Sequence, residues 1–133
     1  MFRTIVVGTD GSERAARAVT RAVQLAAACD ATLHVVHAYQ GTRDEIRDAA
    51  HAVIARVAAA LESSDIAVRT HALQGDPADV VLDFAFDSGA DLIIVGNRGM
   101  TGRGRILGSV PNAVSHDATC AVMIIPTHLD EGP

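Results

Sequence analysis

Leu92-Ile93-Ile94-Val95 runs straight into GNRGMTGRGRILGSV, Gly96 to Val110. The four apolar residues read as a buried strand, and Ser109-Val110-Pro111-Asn112 reads as the opening of a helix with Ser109 at its cap. Strand, glycine-rich loop and helix start together make a physical recipe for holding phosphate. Glycines permit positive φ and close backbone approach, and the unpaired N–H groups of a helix start attract anions. Arg98, Arg103 and Arg105 add positive charge to the loop. A surface loop with solvated arginines is the alternative, and the strand and helix on either side argue against it.

The same step from strand to helix recurs along the chain. Thr4-Ile5-Val6-Val7 is a β-branched run, too apolar for an edge strand, and it ends at Gly8-Thr9-Asp10-Gly11-Ser12, a turn with an N-cap at Ser12. From Glu13 to Ala28, Ala15, Ala18, Val19, Ala22, Val23 and Ala26 recur at helical spacing, opposite Arg14, Arg17, Arg21 and Gln24. Cys29-Asp30 closes that helix, and Ala31 to Tyr39 is a second strand. The spacing predicts a longer helix from about Thr42 to Ser63. Ile66 to Leu73 alternates, with Arg69 and His71 on one face, as an edge strand does. Asp76-Pro77 opens a third helix and Ser88-Gly89 stops it. A short helix to about Asp117 follows the glycine-rich loop, and Ala121 to Ile125 is a fifth strand stopped by Pro126.

Strands alternating with helices imply an α/β fold: a single domain over 1–133 with an open parallel five-stranded sheet, helices on both faces, Rossmann-like, in strand order 3-2-1-4-5. Ligands bind such sheets beyond the carboxyl ends of the strands, at the switch in strand order. The two unusual strand ends are Gly8-Thr9-Asp10 and Gly96 to Ser109. With their strands adjacent, both loops line one nucleotide-sized crevice.

Composition narrows the chemistry. Apolar residues make up 49% of the 133 and charged ones 20%, as in a globular protein. The net charge of -5, with no basic face, argues against nucleic acid as the main partner. All 11 basic residues are arginine. The absence of lysine excludes Schiff-base chemistry, a Walker A lysine and a lysine general base. Cys29 and Cys120 show no metal-ligand spacing and read as free thiols in a reducing cytosol. The chain enters its first strand without a signal peptide, and no apolar run approaches membrane-spanning length. A cytoplasmic protein without a membrane partner is expected.

Other polar groups carry less. His34 and His37, three apart on a strand, point to opposite faces and cannot share a metal. His71 and His116 stand alone and read as solvated or satisfied histidines. Asp44, Glu45 and Asp48 suit the dipole of a helix start, and the Asp79, Asp83, Asp87 stripe reads as an exposed face. No metal site is expected.

A Rossmann fingerprint fails, because Gly102, Gly104 and Gly108 are wrongly spaced and lie in the fourth strand–helix unit. A pyrophosphatase-type SGGxDS loop is missing after the first strand, where the sequence is GTDGSE. The chain does resemble the universal stress proteins of the nucleotide-binding type. These carry G-x2-G-x9-G-[ST] after strand four and T-D-G-S after strand one. Here Gly96, Gly99 and Gly108-Ser109 stand with Thr9-Asp10-Gly11-Ser12, and the element order matches from Arg3 to Pro126. Eight residues, Met100 to Leu107, separate Gly99 from Gly108, one fewer than the family pattern.

The resemblance implies a stress-response regulatory protein, a homodimer through the last strand, Ala121 to Ile125, without strong catalysis of its own. The ligand it implies is ATP, AMP or cyclic AMP, with Mg2+ accompanying ATP. By position, Asp10 would hold the ribose hydroxyls, with Gly8 and Thr9 beside it. Gly96, Gly99, Gly108, Ser109 and Val110 would wrap ribose and phosphates, the backbone at Ala38 would face the adenine, and Val95 would pack on it. Asp10 also reads as a turn-stabilising residue in its own right. A cyclic AMP-sequestering protein and a slow ATP hydrolase are the competing functions. Hydrolysis needs a placed base, and Asp10 is the only obvious acid near the phosphates.

Overall fold

The computed structural model describes residues 1–97 and 107–127. Among them strands and helices alternate as β1 (Thr4–Gly8), α1 (Ala16–Cys29), β2 (Thr32–Tyr39), α2 (Asp44–Ala60), β3 (Val68–Gln74), α3 (Pro77–Ser88), β4 (Leu92–Gly96), α4 (Ser109–Asp117) and β5 (Ala121–Ile125). Every pairing is parallel, and the sheet order is β3-β2-β1-β4-β5, as expected from the alternation.

The central strand shows why its sequence lacks polar alternation. Ile5, Val6 and Val7 are all 0% exposed, because helices cover both faces. Ile5 and Val7 join Leu33, Val35, Ile94 and the small face of α1, with Ile54 of α2, in one cluster. Val6 joins Val36, Ile93, Val95, Val81 of α3 and Val114 of α4 in the other. The alanine stripe on α1 leaves that helix with little side-chain bulk toward the sheet; Ala18, Ala22 and Ala26 are all buried. Truncating large side chains in such packed layers typically costs about 2–5 kcal/mol.

Local signals mark α3 well. The Asp76 carboxylate accepts a hydrogen bond from the Asp79 N–H at 3.2 Å, Pro77 is the first helical residue, and Gly89 stops the helix at φ 69°. The acidic stripe along it, Asp79, Asp83 and Asp87, is exposed. Around the start of α2, Arg43, Asp44, Glu45, Arg47 and Asp48 form solvated ion pairs at 3.4–3.6 Å, worth little individually. Several boundaries differ from expectation: α2 spans Asp44–Ala60, inside the expected Thr42 to Ser63, and β3 spans Val68–Gln74 where Ile66 to Leu73 was expected. The Ser12 hydroxyl accepts from the Ala15 N–H at 3.0 Å and so caps a turn, after which α1 begins at Ala16. At α4 the cap is Gly108, and Ser109 is the first helical residue. Backbone geometry decides here: Gly108 has extended φ and ψ, and the first α-helical bond runs from Asn112 N–H to its carbonyl at 3.1 Å.

Strand register brings the carboxyl ends level. Val7 lies beside Ile94, Gly8 beside Val36, and Gly96 beside Ile125. The loops leaving β1 and β4 therefore depart from neighbouring strands at the switch in strand order, where the candidate site lies.

Candidate functional site

A cavity of about 90 Å³ opens at these strand ends. Ligand pockets commonly hold about 300–1,000 Å³, so this one would enclose only part of a nucleotide-sized molecule. Of the residues read from the sequence, Gly8, Thr9, Asp10, Ala38, Val95, Gly96 and Val110 line it. Gly108 and Ser109 stand at the adjoining start of α4 but do not line the cavity. Gly99, and with it Arg98, Arg103 and Arg105, lies outside the described residues. Ala15, Val36, Pro77, Val81, Pro111 and Thr127 also line the cavity; sequence reasoning missed them. Val36 and Ala38 share one face of β2, so strand alternation was a usable signal for Val36. Nothing in the pattern pointed to Pro77, Val81 or Thr127.

The walls are chiefly apolar, and among the described lining residues Asp10 alone carries charge. Its turn is tightly specified. The Asp10 Oδ1 accepts from the Ser12 N–H at 2.9 Å, the Thr9 hydroxyl accepts from the Gly11 N–H at 3.1 Å, and Gly11 sits at φ 82°. The turn-stabilising role of Asp10 is therefore real, and it leaves the residue exposed at the cavity mouth.

On the opposite wall the chain closes through a buried polar contact. The Asn97 N–H donates to the Ile125 carbonyl at 2.9 Å. The Thr127 N–H and hydroxyl both donate to Asn97 Oδ1, at 2.9 and 3.1 Å. Asn97 is 8% exposed and Thr127 1%, a setting in which unmade hydrogen bonds cost about 1–3 kcal/mol each. A Cβ on Gly96 would stand 2.5 Å from Thr127 Cγ2. This glycine thus has a packing reason as well as any reason supplied by a phosphate loop. Beyond it, α4 presents the N–H groups of Ser109 and Val110. Pro111, which has none, occupies the third helical position, where no intrahelical partner is missed.

The histidines divide between the faces as the alternation requires. His37 bonds through Nδ1 to the Thr9 carbonyl at 3.0 Å. His34 faces the other way and meets His71, Nδ1 to Nε2, at 3.0 Å, so His71 is not isolated as its sequence position implied. The two are brought together by the β2–β3 register, in which Val36 pairs with His71, and Phe84 of α3 packs on both rings. His116 is exposed. Among the described residues no group of three or more His, Cys, Asp or Glu is arranged to hold a metal ion. Burial, then the Asp91 carboxylate, raises the Cys120 thiol above its ordinary range, the reverse of what a nucleophilic thiolate needs.

Burial also lowers the pKa of both paired histidines, with the charges of His71 and Arg69 adding for His34 and that of Arg69 for His71. The unfolded chain protonates near the ordinary value of 6.5, before the folded pair does. It therefore binds more protons than the native state below that pH, and stability is lost as pH falls. The urea unfolding midpoint is expected to hold above pH 7 and to decline below pH 6.5. A His71→Gln variant, with one titrating ring fewer, should decline less steeply; equal slopes would remove the pair as the cause.

Comparison with known proteins agrees with the architecture. The model of the universal stress protein family matches residues 1–126. A universal stress protein of Mycobacterium tuberculosis is 36% identical over 143 aligned positions, covering 95% of this chain and 97% of that protein. Among solved structures, a universal stress protein in complex with cAMP superposes with a TM-score of 0.83 at 30% identity, covering 96% of this chain and 99% of the other. One from Archaeoglobus fulgidus in complex with dAMP gives 0.78 at 28% identity, covering 92% and 97%. With the family model matched from residue 1 to 126, and with Thr9 and Asp10 after β1 and Gly96 at the end of β4 lining one cavity, the chain belongs to the universal stress protein family.

Proposed function

We propose that this protein is an adenine-nucleotide-binding regulator of the stress response, taking its ligand between the β1 turn and the start of α4. One observation carries the reading: Thr9-Asp10, Ala38, Val95-Gly96 and Val110, far apart in sequence, line a single cavity. The related structures holding cAMP and dAMP support it. The adenine enters the apolar cavity against Ala38 and Val95, and Asp10 accepts hydrogen bonds from the ribose hydroxyls, as an acceptor-only group suits. Gly96, Gly99, Gly108, Ser109 and Val110 wrap the ribose and phosphates, with the helix start facing the anion. The protein works in the cytoplasm as a binding module with at most weak ATP hydrolysis.

The ligand choice follows from loop length. With eight residues between Gly99 and Gly108, the loop's maximum reach is shorter by about 3.3–3.6 Å than with nine. That is comparable to the spacing of neighbouring phosphates, so a third phosphate gains least. Calorimetric titration should find ATP binding little tighter than AMP, with cyclic AMP competing well and Mg2+ adding little. Insertion of one leucine after Leu107 should raise ATP affinity more than AMP affinity. An unchanged ratio makes the short loop neutral, and no binding of any of the three overturns the function.

The homodimer of this proposal forms along β5, which pairs only with β4 among the described strands and carries no charge. An apolar sheet edge is an association site unless covered. Val122 and Ile124 pack on the inner cluster, whereas Ala121 and Met123 are exposed, so the latter two make the cleaner test. Light scattering should give twice the monomer mass for the wild type and the monomer mass for Ala121→Lys with Met123→Lys. A wild-type monomer at micromolar concentration would refute the dimer.

A further inference from the structure

Both backbone polar groups of Thr9 are held by two consecutive residues of β2. The Thr9 N–H donates to the Val36 carbonyl at 3.0 Å, which carries the β1–β2 ladder one step past the end of β1. The Thr9 carbonyl then accepts from the His37 ring at 3.0 Å. Because that oxygen can only accept, Nδ1 carries the hydrogen. The carbonyl belongs to the peptide unit that contains the Asp10 nitrogen, and that unit is planar from the Thr9 Cα to the Asp10 Cα. Holding the oxygen therefore sets the direction in which the Asp10 backbone leaves the strand. The two neighbours of His37 on β2, Val36 and Ala38, line the cavity, and the imidazole reaches the turn from the other face of the strand.

We infer that His37 is a positioning residue for Asp10. Its imidazole orients the turn that carries the cavity's charged group without itself lining the cavity. Among the bonds between described residues, Ser12 to Asp10 and Gly11 to Thr9 lie within the turn, and Ala15 to the Ser12 hydroxyl leads on toward α1. They shape the turn but do not tie it to the sheet. The Val36 and His37 bonds make that tie, and only the second depends on a side chain.

This rests on the proposed role of Asp10 with ribose, so the test separates the two. Calorimetry compares AMP with 2′,3′-dideoxy-AMP, which lacks both hydroxyls, in wild type, Asp10→Ala, His37→Ala, His37→Asn and His37→Gln. Wild type should prefer AMP, and Asp10→Ala should lose that preference. His37→Ala should reduce the preference about 2- to 10-fold, the worth of one neutral hydrogen bond, with affinity for the dideoxy nucleotide unchanged. Asparagine, whose amide nitrogen reaches the place of Nδ1, should restore the preference. Glutamine, which reaches the place of Nε2, should not. If Asp10→Ala keeps the wild-type preference, or wild type has none, the ribose role fails and the inference falls with it. If Asp10→Ala loses the preference while His37→Ala keeps it, the ribose role stands and the positioning role of His37 is overturned. Equal weakening of both nucleotides in His37→Ala, or identical behaviour of the asparagine and glutamine variants, also overturns it.

Discussion

Replacing Asp10 with alanine is expected to weaken AMP binding about 10- to 150-fold, because charge-assisted hydrogen bonds are worth about 1.5–3 kcal/mol. The same change removes the acceptor of the Ser12 N–H, so part of the loss could come from a looser turn. Asp10→Asn separates the contributions. Its amide oxygen can still accept from Ser12, while the charge and one acceptor are gone. Asparagine is expected to retain the unfolding midpoint of the wild type and still lose most of the affinity. Asp10 is exposed, so asparagine should change stability by no more than a few tenths of a kcal/mol, and alanine, which loses the Ser12 bond, by up to about 1 kcal/mol. Isothermal titration beside urea unfolding makes the comparison. Wild-type affinity in Asp10→Ala would remove Asp10 from the site.

The largest effect on stability is expected one residue further on. Gly11 adopts φ 82°, and a Cβ built there stands 2.4 Å from Val53 Cγ1 on α2. A left-handed backbone costs an ordinary L-residue about 1–2 kcal/mol, and overpacking adds about 1–3 kcal/mol. Val53 is β-branched and has little rotamer freedom within its helix, so it cannot swing aside. Gly11→Ala should therefore destabilise by roughly 2–5 kcal/mol. Gly89→Ala is the internal control: φ there is 69°, and nothing lies within 4 Å of the added carbon. It should cost the backbone share alone, about 1–2 kcal/mol. Shortening Val53 to alanine in the Gly11→Ala background should return the overpacking share only. Equal midpoints for Gly11→Ala and Gly89→Ala would mean that α2 yields, and the packing argument would fail. Because Gly11 follows Asp10, its variant should also lose nucleotide affinity, which Gly89→Ala should not.

Much of this architecture was legible because it follows from short-range chemistry. The unbroken apolar run at Ile5-Val6-Val7 required a strand covered on both faces. Asp76-Pro77 and Ser88-Gly89 bounded α3 to the residue, since a cap, a first-turn proline and a left-handed stop act on their own neighbours. Strand–helix alternation then left few topologies, and Gly8-Thr9-Asp10 and Gly96 pointed to the end of the sheet where the cavity lies. Where local rules competed, the boundaries moved. Ser12 capped a turn instead of the assigned helix, and Gly108 took the cap expected of Ser109.

What the tertiary structure alone decided are meetings across sequence distance. His34 with His71, His37 with Thr9, and Asn97 with Thr127 are separated by 37, 28 and 30 residues. Periodicity assigns a side chain to a face of a strand, but not to the partner it finds there. That partner depends on strand order, on register to the residue and on the helix laid across the face. For the same reason Pro77, Val81 and Thr127 could not be read as cavity walls, nor Gly96 as the one residue that fits beside Thr127. Local sequence determined the elements and the end of the sheet that could bind, because those rest on neighbouring residues. The packing of distant elements determined how the site is closed and aimed, because a contact exists only once the chain has brought both partners to the same place.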